Sequence, residues 1–226
     1  MAKKEKDRAK IWFLLDRSGS MASVADDVIG GFNYFLAEQA AQAGECRMTV
    51  VQFDSEDPFE VIAAGKEPAD VPELNDSVYQ PRGLTPLYDA IGRLIKRADD
   101  RIARRSKAEK PAEDQLGVVF TDGLENNSHR YDRPEVFELG KKRQDGSRAL
   151  VFMGANQDAY ARGGELGFDR GSTQGYRGDG IGTRASWDSV NLAVSEFRTS
   201  SYEEKQRRKA DFFDGQKDAE EDHLNR

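Results

Sequence analysis

Four short apolar runs constrain this chain more than any other feature: Ile11–Leu15, Met48–Phe53, Leu116–Phe120 and Ala149–Met153. Each is rich in Val, Ile, Leu or Phe and shows little polar alternation. Successive side chains of a strand point to opposite faces, so an unbroken apolar run needs both faces covered. That is the pattern of parallel strands between helical layers. A fifth run, Phe59–Ile62, follows Asp57-Pro58 and reads as the return strand of a hairpin at a sheet edge. Helical patterns lie between the strands. Val24, Val28, Phe32, Phe35 and Leu36 share one face, and Ser23 with Asp26 resembles a capping box at its start. Leu87, Ile91, Leu94, Ile95 and Ile102 share the face of a second helix, with Thr85 as its N-cap and Pro86 at its first position. A third helix begins over Pro134–Leu139, and Trp187–Phe197 reads as a last packed helix. Strands alternating with helices predict an α/β sandwich around a mostly parallel sheet. Gly163–Gly182 reads as a long loop enclosing a short edge strand near Ser172–Tyr176. The expected organisation is a charged extension over 1–8, one domain over 9–198, and a polar, charged tail or solvated helix over 199–226 in which Phe212 and Phe213 stand among dense charges.

The 226 residues suffice for one domain with a full core. The formal net charge is −7, from 41 acidic and 34 basic residues. Nucleic-acid binding is disfavoured, because phosphate contacts need a basic face. Cations and basic surfaces fit better. Cys46 is the one cysteine, so an internal disulfide and a thiolate-rich metal site are excluded. It leads into an apolar run and reads as buried packing. The start is charged, and the run Ile11–Leu15 is too short for a signal-peptide core or a membrane span. The expectation is a cytoplasmic protein with no membrane insertion.

The chemistry concentrates in three segments. In the first, a buried strand runs into Asp16-Arg-Ser18-Gly-Ser20, an acid followed by two hydroxyls at alternate positions around Gly19. A tight loop can turn all three oxygens toward one point. The second, Arg82-Gly-Leu-Thr85-Pro-Leu-Tyr-Asp89, adds a hydroxyl at a loop-to-helix junction. The third, Val118-Val-Phe-Thr-Asp122-Gly, repeats the first design. In open α/β sheets ligands bind at the carboxyl ends of strands near a topological switch point. If the first and third strands are neighbours, Asp16 and Asp122 stand side by side. Their repulsion is then relieved by a divalent cation. An all-oxygen donor set without His or Cys favours Mg²⁺ or Mn²⁺ over zinc. Ca²⁺ fits less well, because it usually collects more carboxylates.

Asp-x-Ser-x-Ser, then a Thr-Pro helix start, then a strand ending Thr-Asp-Gly resembles the von Willebrand factor A (vWA) domain. The positions matching its metal-ion-dependent adhesion site (MIDAS) are Asp16, Ser18, Ser20, Thr85 and Asp122, and the intervening pattern matches from about Ala9 to Phe197. Gly83–Ala90 looks like the stand-alone bacterial members. The resemblance implies a three-layer α/β/α sandwich, Rossmann-like, with a mostly parallel sheet and one antiparallel edge strand. It implies that the serines and Thr85 bind the metal directly or by switching. It implies too that the aspartates often act through water and that a partner's Glu or Asp carboxylate completes the octahedron. The function expected is a metal-dependent protein-binding module and not an enzyme.

Two alternatives stand beside it. A metal-dependent, phosphatase-like hydrolase also places an acid at the end of the first strand, but needs a second acid two positions later, where this chain has Ser18. No Gly-x-Ser-x-Gly elbow, phosphate loop or dinucleotide fingerprint is present. A scaffold with a vestigial metal site is the other. Taken singly, Thr85 is a fine N-cap and Asp122-Gly123 an ordinary turn. Asp89 reads as a structural helix residue, His129 as a surface histidine, and Asn156 as a helix cap. The segment Gly154–Asp158 follows the fourth strand run along the same rim. Asp54, Glu56 and Asp57 read as a solvated acidic loop, and Arg17 as either a salt-bridging surface residue or a selector for an acidic group. Arg177-Gly178-Asp179 carries no functional weight.

Overall fold

The computed structural model describes residues 8–108, 113–143, 148–155, 158–208 and 211–213. A six-stranded sheet forms its middle layer. The strands are β1 (Arg8–Asp16), β2 (Glu45–Phe53), β3 (Glu60–Lys66), β4 (Asp114–Thr121), β5 (Arg148–Ala155) and β6 (Thr173–Tyr176), in the spatial order β3-β2-β1-β4-β5-β6. All neighbours pair in parallel except β2 and β3, which form the expected antiparallel edge. The chain leaves β1 toward β2 on one side and returns to β4 on the other, so the β1/β4 boundary is the switch point. Leu15 pairs with Phe120 there, which brings the next residues of both strands to the same rim.

Among the described residues, six helices flank the sheet: α1 (Ala25–Ala41), α2 (Leu87–Lys107), α3 (Arg133–Arg143), α4 (Ala159–Glu165), α5 (Gly180–Thr199) and α6 (Tyr202–Arg208). Ile11, Phe13 and Leu15 face α1 and α5, whereas Trp12 and Leu14 face α2. The continuous apolar run is thus split between two cores. Trp187 of α5 seals the first. Its ring stacks on Phe120 at 4.6 Å and on Phe13 at 5.5 Å. It also presses against Gly31 of α1, where a Cβ would collide with the indole. Gly31 therefore sets how closely α1 and α5 approach.

Several local expectations need correction. The Ser23/Asp26 box does not form, because a 3-10 turn (Gly19–Val24) runs into α1 and leaves its N-terminus without a side-chain cap. Reciprocal boxes form instead at α3, where the amide of Asp132 donates to Glu135 and that of Glu135 to Asp132, both at 2.9 Å, and at α6, where the Ser201 amide donates to Glu204 at 2.8 Å and the Glu204 amide to the Ser201 hydroxyl at 3.3 Å. The edge strand expected near Ser172–Tyr176 is β6 (Thr173–Tyr176), but the segment expected as loop overlaps two helices, since α4 runs to Glu165 and α5 starts at Gly180. Asn156 lies outside the described residues, and Asp158 caps α4. Beyond Thr199 the chain is not all solvated. Phe212 and Phe213 are buried in the α1/α5 core, the Phe213 amide donates to the Gly171 carbonyl at 3.0 Å, and Lys205 pairs with Asp114 at 2.8 Å. Cys46 is buried, as its neighbours imply. The Arg-Gly-Asp triplet serves a local purpose: Asp179 pairs with Arg177 at 2.5 Å and caps α5 through the Gly182 amide at 2.8 Å.

Candidate metal centre

The ends of β1 and β4 meet at a rim where backbone constraint fixes the polar side chains. Asp16 is wholly buried. Its Oδ1 accepts the Ser18 amide at 2.7 Å, and its Oδ2 accepts the Thr121 hydroxyl at 2.5 Å. The Ser18 and Ser20 hydroxyls lie 3.1 Å apart, and Ser20 donates to Asp122 Oδ1 at 2.7 Å. Asp16, Ser18, Ser20 and Asp122 are thereby joined in one hydrogen-bonded arc. Thr85 completes the group through Gly123. A Cβ at Gly123 would lie 2.8 Å from Thr85 Oγ1 and 3.2 Å from Asp16 Oδ2, so only glycine lets the third loop come this close. All five sequence-selected residues are therefore brought to one place.

Thr85 does not cap α2, contrary to the local pattern. The helix starts at Leu87, Pro86 stands at the N-cap, and neither caps it with a side chain. Its first amides are met from the loop after β4: Tyr88 donates to Glu125 at 2.8 Å and Asp89 to Ser128 at 3.0 Å. In return Asp89 accepts the amides of His129, Arg130 and Tyr131 at 2.8–3.0 Å, which is the structural role expected of it. The Thr85 amide donates to Asn126 at 2.8 Å. Relieved of capping, the Thr85 hydroxyl stays beside Gly123.

Two tyrosines brace the strand ends from within the core. Tyr79 donates to the Asp16 carbonyl at 2.5 Å, and Tyr176 donates to the Thr121 carbonyl at 3.2 Å. Burial, reinforced by the nearby Asp16 and Asp122 charges, pushes both phenols well above their ordinary value, so both stay protonated donors. The same physics acts on the acids. Burial lifts the Asp16 carboxyl to about 6, against the hydrogen bonds from Thr121 and Ser18 and with a further push from Asp122. Burial also raises Asp122.

Arg17 does not neutralise them. It is neither at the surface nor available to a partner: its guanidinium is buried against Asp54 at 2.5 Å and reaches Glu60 at 2.7 Å. Asp54, expected in a solvated loop, is wholly buried as well. His129 is exposed, as expected.

The donor set consists of two carboxylates and three hydroxyls. Among the described residues, no three acidic, histidine or cysteine side chains gather into a conventional cluster. A hard divalent cation fits what is present: oxygen donors only, buried anionic charge, and a cradle that a Cβ at Gly123 would fill. Thr121, Gly123 and Tyr79 were not singled out by sequence reasoning. Thr121 and Gly123 flank Asp122 in the strand-end motif, a usable signal. Tyr79 lies in an irregular segment that offers none.

No family model and no curated protein sequence matches the chain. Solved structures do match its shape. The pilus adhesin SpaC from Lactobacillus rhamnosus GG aligns with a TM-score of 0.63 at 12% identity, over 86% of this chain and 31% of that one. Proximal thread matrix protein 1 from the mussel byssus, in a form with a zinc-occupied MIDAS motif, gives 0.61 at 13% identity, over 82% and 48%. A von Willebrand factor type A protein from Catenulispora acidiphila gives 0.55 at 14% identity, over 84% and 43%. The chain spans less than half the length of each. These likenesses establish the architecture: this chain has the von Willebrand factor A fold, with its mostly parallel sheet, one antiparallel edge strand and helices on both faces.

Proposed function

We propose that this chain is a divalent-metal-dependent protein-binding module rather than an enzyme. The observation that carries the reading is the arc Asp16–Ser18–Ser20–Asp122 at the β1/β4 switch point, with Thr85 held against it across Gly123. Ser18, Ser20 and Thr85 would hold the cation through hydroxyl oxygens, and Asp16 and Asp122 directly or through water. Mg²⁺ or Mn²⁺ suits so compact a set with so few charged donors. When bound, the cation supplies an open coordination position for a Glu or Asp carboxylate of a partner. The zinc-occupied MIDAS motif of the mussel byssus protein supports a metal in this fold.

This chain's own residues would do the rest. Thr121 and the Ser18 amide fix the Asp16 carboxylate, and Tyr79 and Tyr176 fix the strands beneath it. Gly19 and Ser20 stand exposed and leave the arc open to solvent. Leu84 and Leu124, both about half exposed, stand one residue from Thr85 and from Gly123, so a partner segment meets apolar surface beside the metal. No described helix is long and apolar enough to cross a membrane.

The test is capture of partners from the native host by wild type and Asp16→Ala, each in Mg²⁺ and in chelator. A partner retained only by wild type in Mg²⁺ is expected. The same partner held equally in chelator contradicts the reading.

A further inference from the structure

Three loops meet beside the candidate metal centre, and one buried carboxylate joins them. Asp54 follows directly on β2. Its Oδ1 accepts the amides of Glu56 and Asp57 at 2.7 and 2.9 Å, which closes its own turn. Its Oδ2 accepts Arg17 Nε at 2.7 Å and Arg82 Nε at 3.1 Å. Arg17 lies between Asp16 and Ser18, and Arg82 lies three residues before Thr85. Asp54 therefore grips one arginine from the serine loop and one from the threonine loop. Burial alone would raise its carboxyl, but the Asp57 and Glu56 amides and Arg17 outweigh it and hold the group below its ordinary range. It stays a carboxylate.

The backbone repeats the connection. The Arg82 amide donates to the Arg17 carbonyl at 2.9 Å, the Gly19 amide to the Gly83 carbonyl at 3.1 Å, and the Arg17 amide to the Phe53 carbonyl at 2.9 Å. Ser55, next to Asp54, accepts the Leu84 amide at 2.9 Å and packs where a Cβ on Gly83, at φ +64°, would stand. The serine loop and the Thr85 loop are thus tied directly by two backbone hydrogen bonds and again through Asp54 and Ser55, which lie outside the five-residue donor set.

We propose that Asp54 is a positioning residue that sets the spacing between the Ser18/Ser20 loop and the Thr85 loop through Arg17 and Arg82. The proposal rests on the metal reading above. Outer groups that orient metal ligands typically govern affinity by about 10–100-fold. Mn²⁺ alone is the probe, titrated into the full chain by calorimetry and by electron paramagnetic resonance, with thermal melts in chelator run in parallel. Asp54→Asn keeps the shape and the backbone acceptor but removes the charge that holds both arginines. It is expected to weaken Mn²⁺ binding about 10-fold or more and to change the resonance line shape of the bound ion. Gly31→Ala, which disturbs the α1/α5 contact instead, is expected to lower the melting temperature while leaving affinity and line shape as in wild type. Wild-type affinity in Asp54→Asn overturns the proposal, as does an equal loss of affinity in Gly31→Ala. Should Asp54→Asn fail to fold, Arg82→Met decides, because that side chain is partly exposed: a several-fold loss of affinity supports the proposal, and none overturns it. A wild-type chain that takes up no Mn²⁺ removes the metal reading itself, an outcome separate from a wild type that binds and a variant that binds as well.

Discussion

Asp16 carries the largest electrostatic cost in the site. Its folded pKa of about 6 lies above the ordinary carboxylate value, so the folded chain holds this proton more tightly than the unfolded chain. That contribution to stability is fully present below about pH 4 and is lost as pH rises through about 6. In chelator at pH 7.5, Asp16→Asn is therefore expected to be more stable than wild type by up to about 3 kcal/mol, the gap closing toward pH 4. Urea denaturation at both pH values checks this, and an Asn variant less stable at pH 7.5 would contradict it. Saturating Mn²⁺ should reverse the order, since it stabilises only the chain that binds it. Single residues were legible in the sequence where a candidate ligand follows its strand directly, as Asp16, Ser18, Ser20 and Asp122 do. Arg17 and Asp54 were not. Their partners are 37 positions apart, and a buried ion pair is locally indistinguishable from two solvated charges.

Among the elements, the start of α2 shows how tertiary contacts override a local signal. Thr85-Pro86 has the chemistry of a cap, yet Glu125 meets the helix instead and also accepts the amides of Asn127 and Ser128. Glu125→Ala is expected to destabilise the fold by about 1–2 kcal/mol by freeing these donors, measurable as a shifted denaturation midpoint with unchanged slope. An effect within a few tenths of a kcal/mol would show that water caps α2 equally well. The inner strands and the apolar faces of α1, α2 and α5 were readable because their periodicity reports burial directly. The edge strand β6 was expected near Ser172–Tyr176, whereas α4 escaped reading, because its glycine-rich sequence supplies no apolar period.

For the molecule as a whole, the folded unit reaches Phe213. Two aromatic residues among charges give no periodic signal, but Phe212 packs on Phe197 at 5.7 Å and Phe213 beside it at 5.5 Å. A chain ended at Ser200 loses both, together with the Lys205–Asp114 pair. It is expected to be destabilised by at least about 3 kcal/mol in denaturant unfolding, and an unchanged midpoint would show that the segment adds nothing. The switch point of the sheet, in contrast, followed from strand order once the two acid-terminated runs were taken as neighbours. The proposed function requires that five oxygen-bearing side chains at that point hold one divalent cation. Calorimetric titration of the chelator-stripped full chain with Mg²⁺ and Mn²⁺, run on wild type and Asp16→Ala, tests it most directly. One saturable site per wild-type chain and none in the folded variant is expected. No binding to wild type, or equal binding to both, would contradict it.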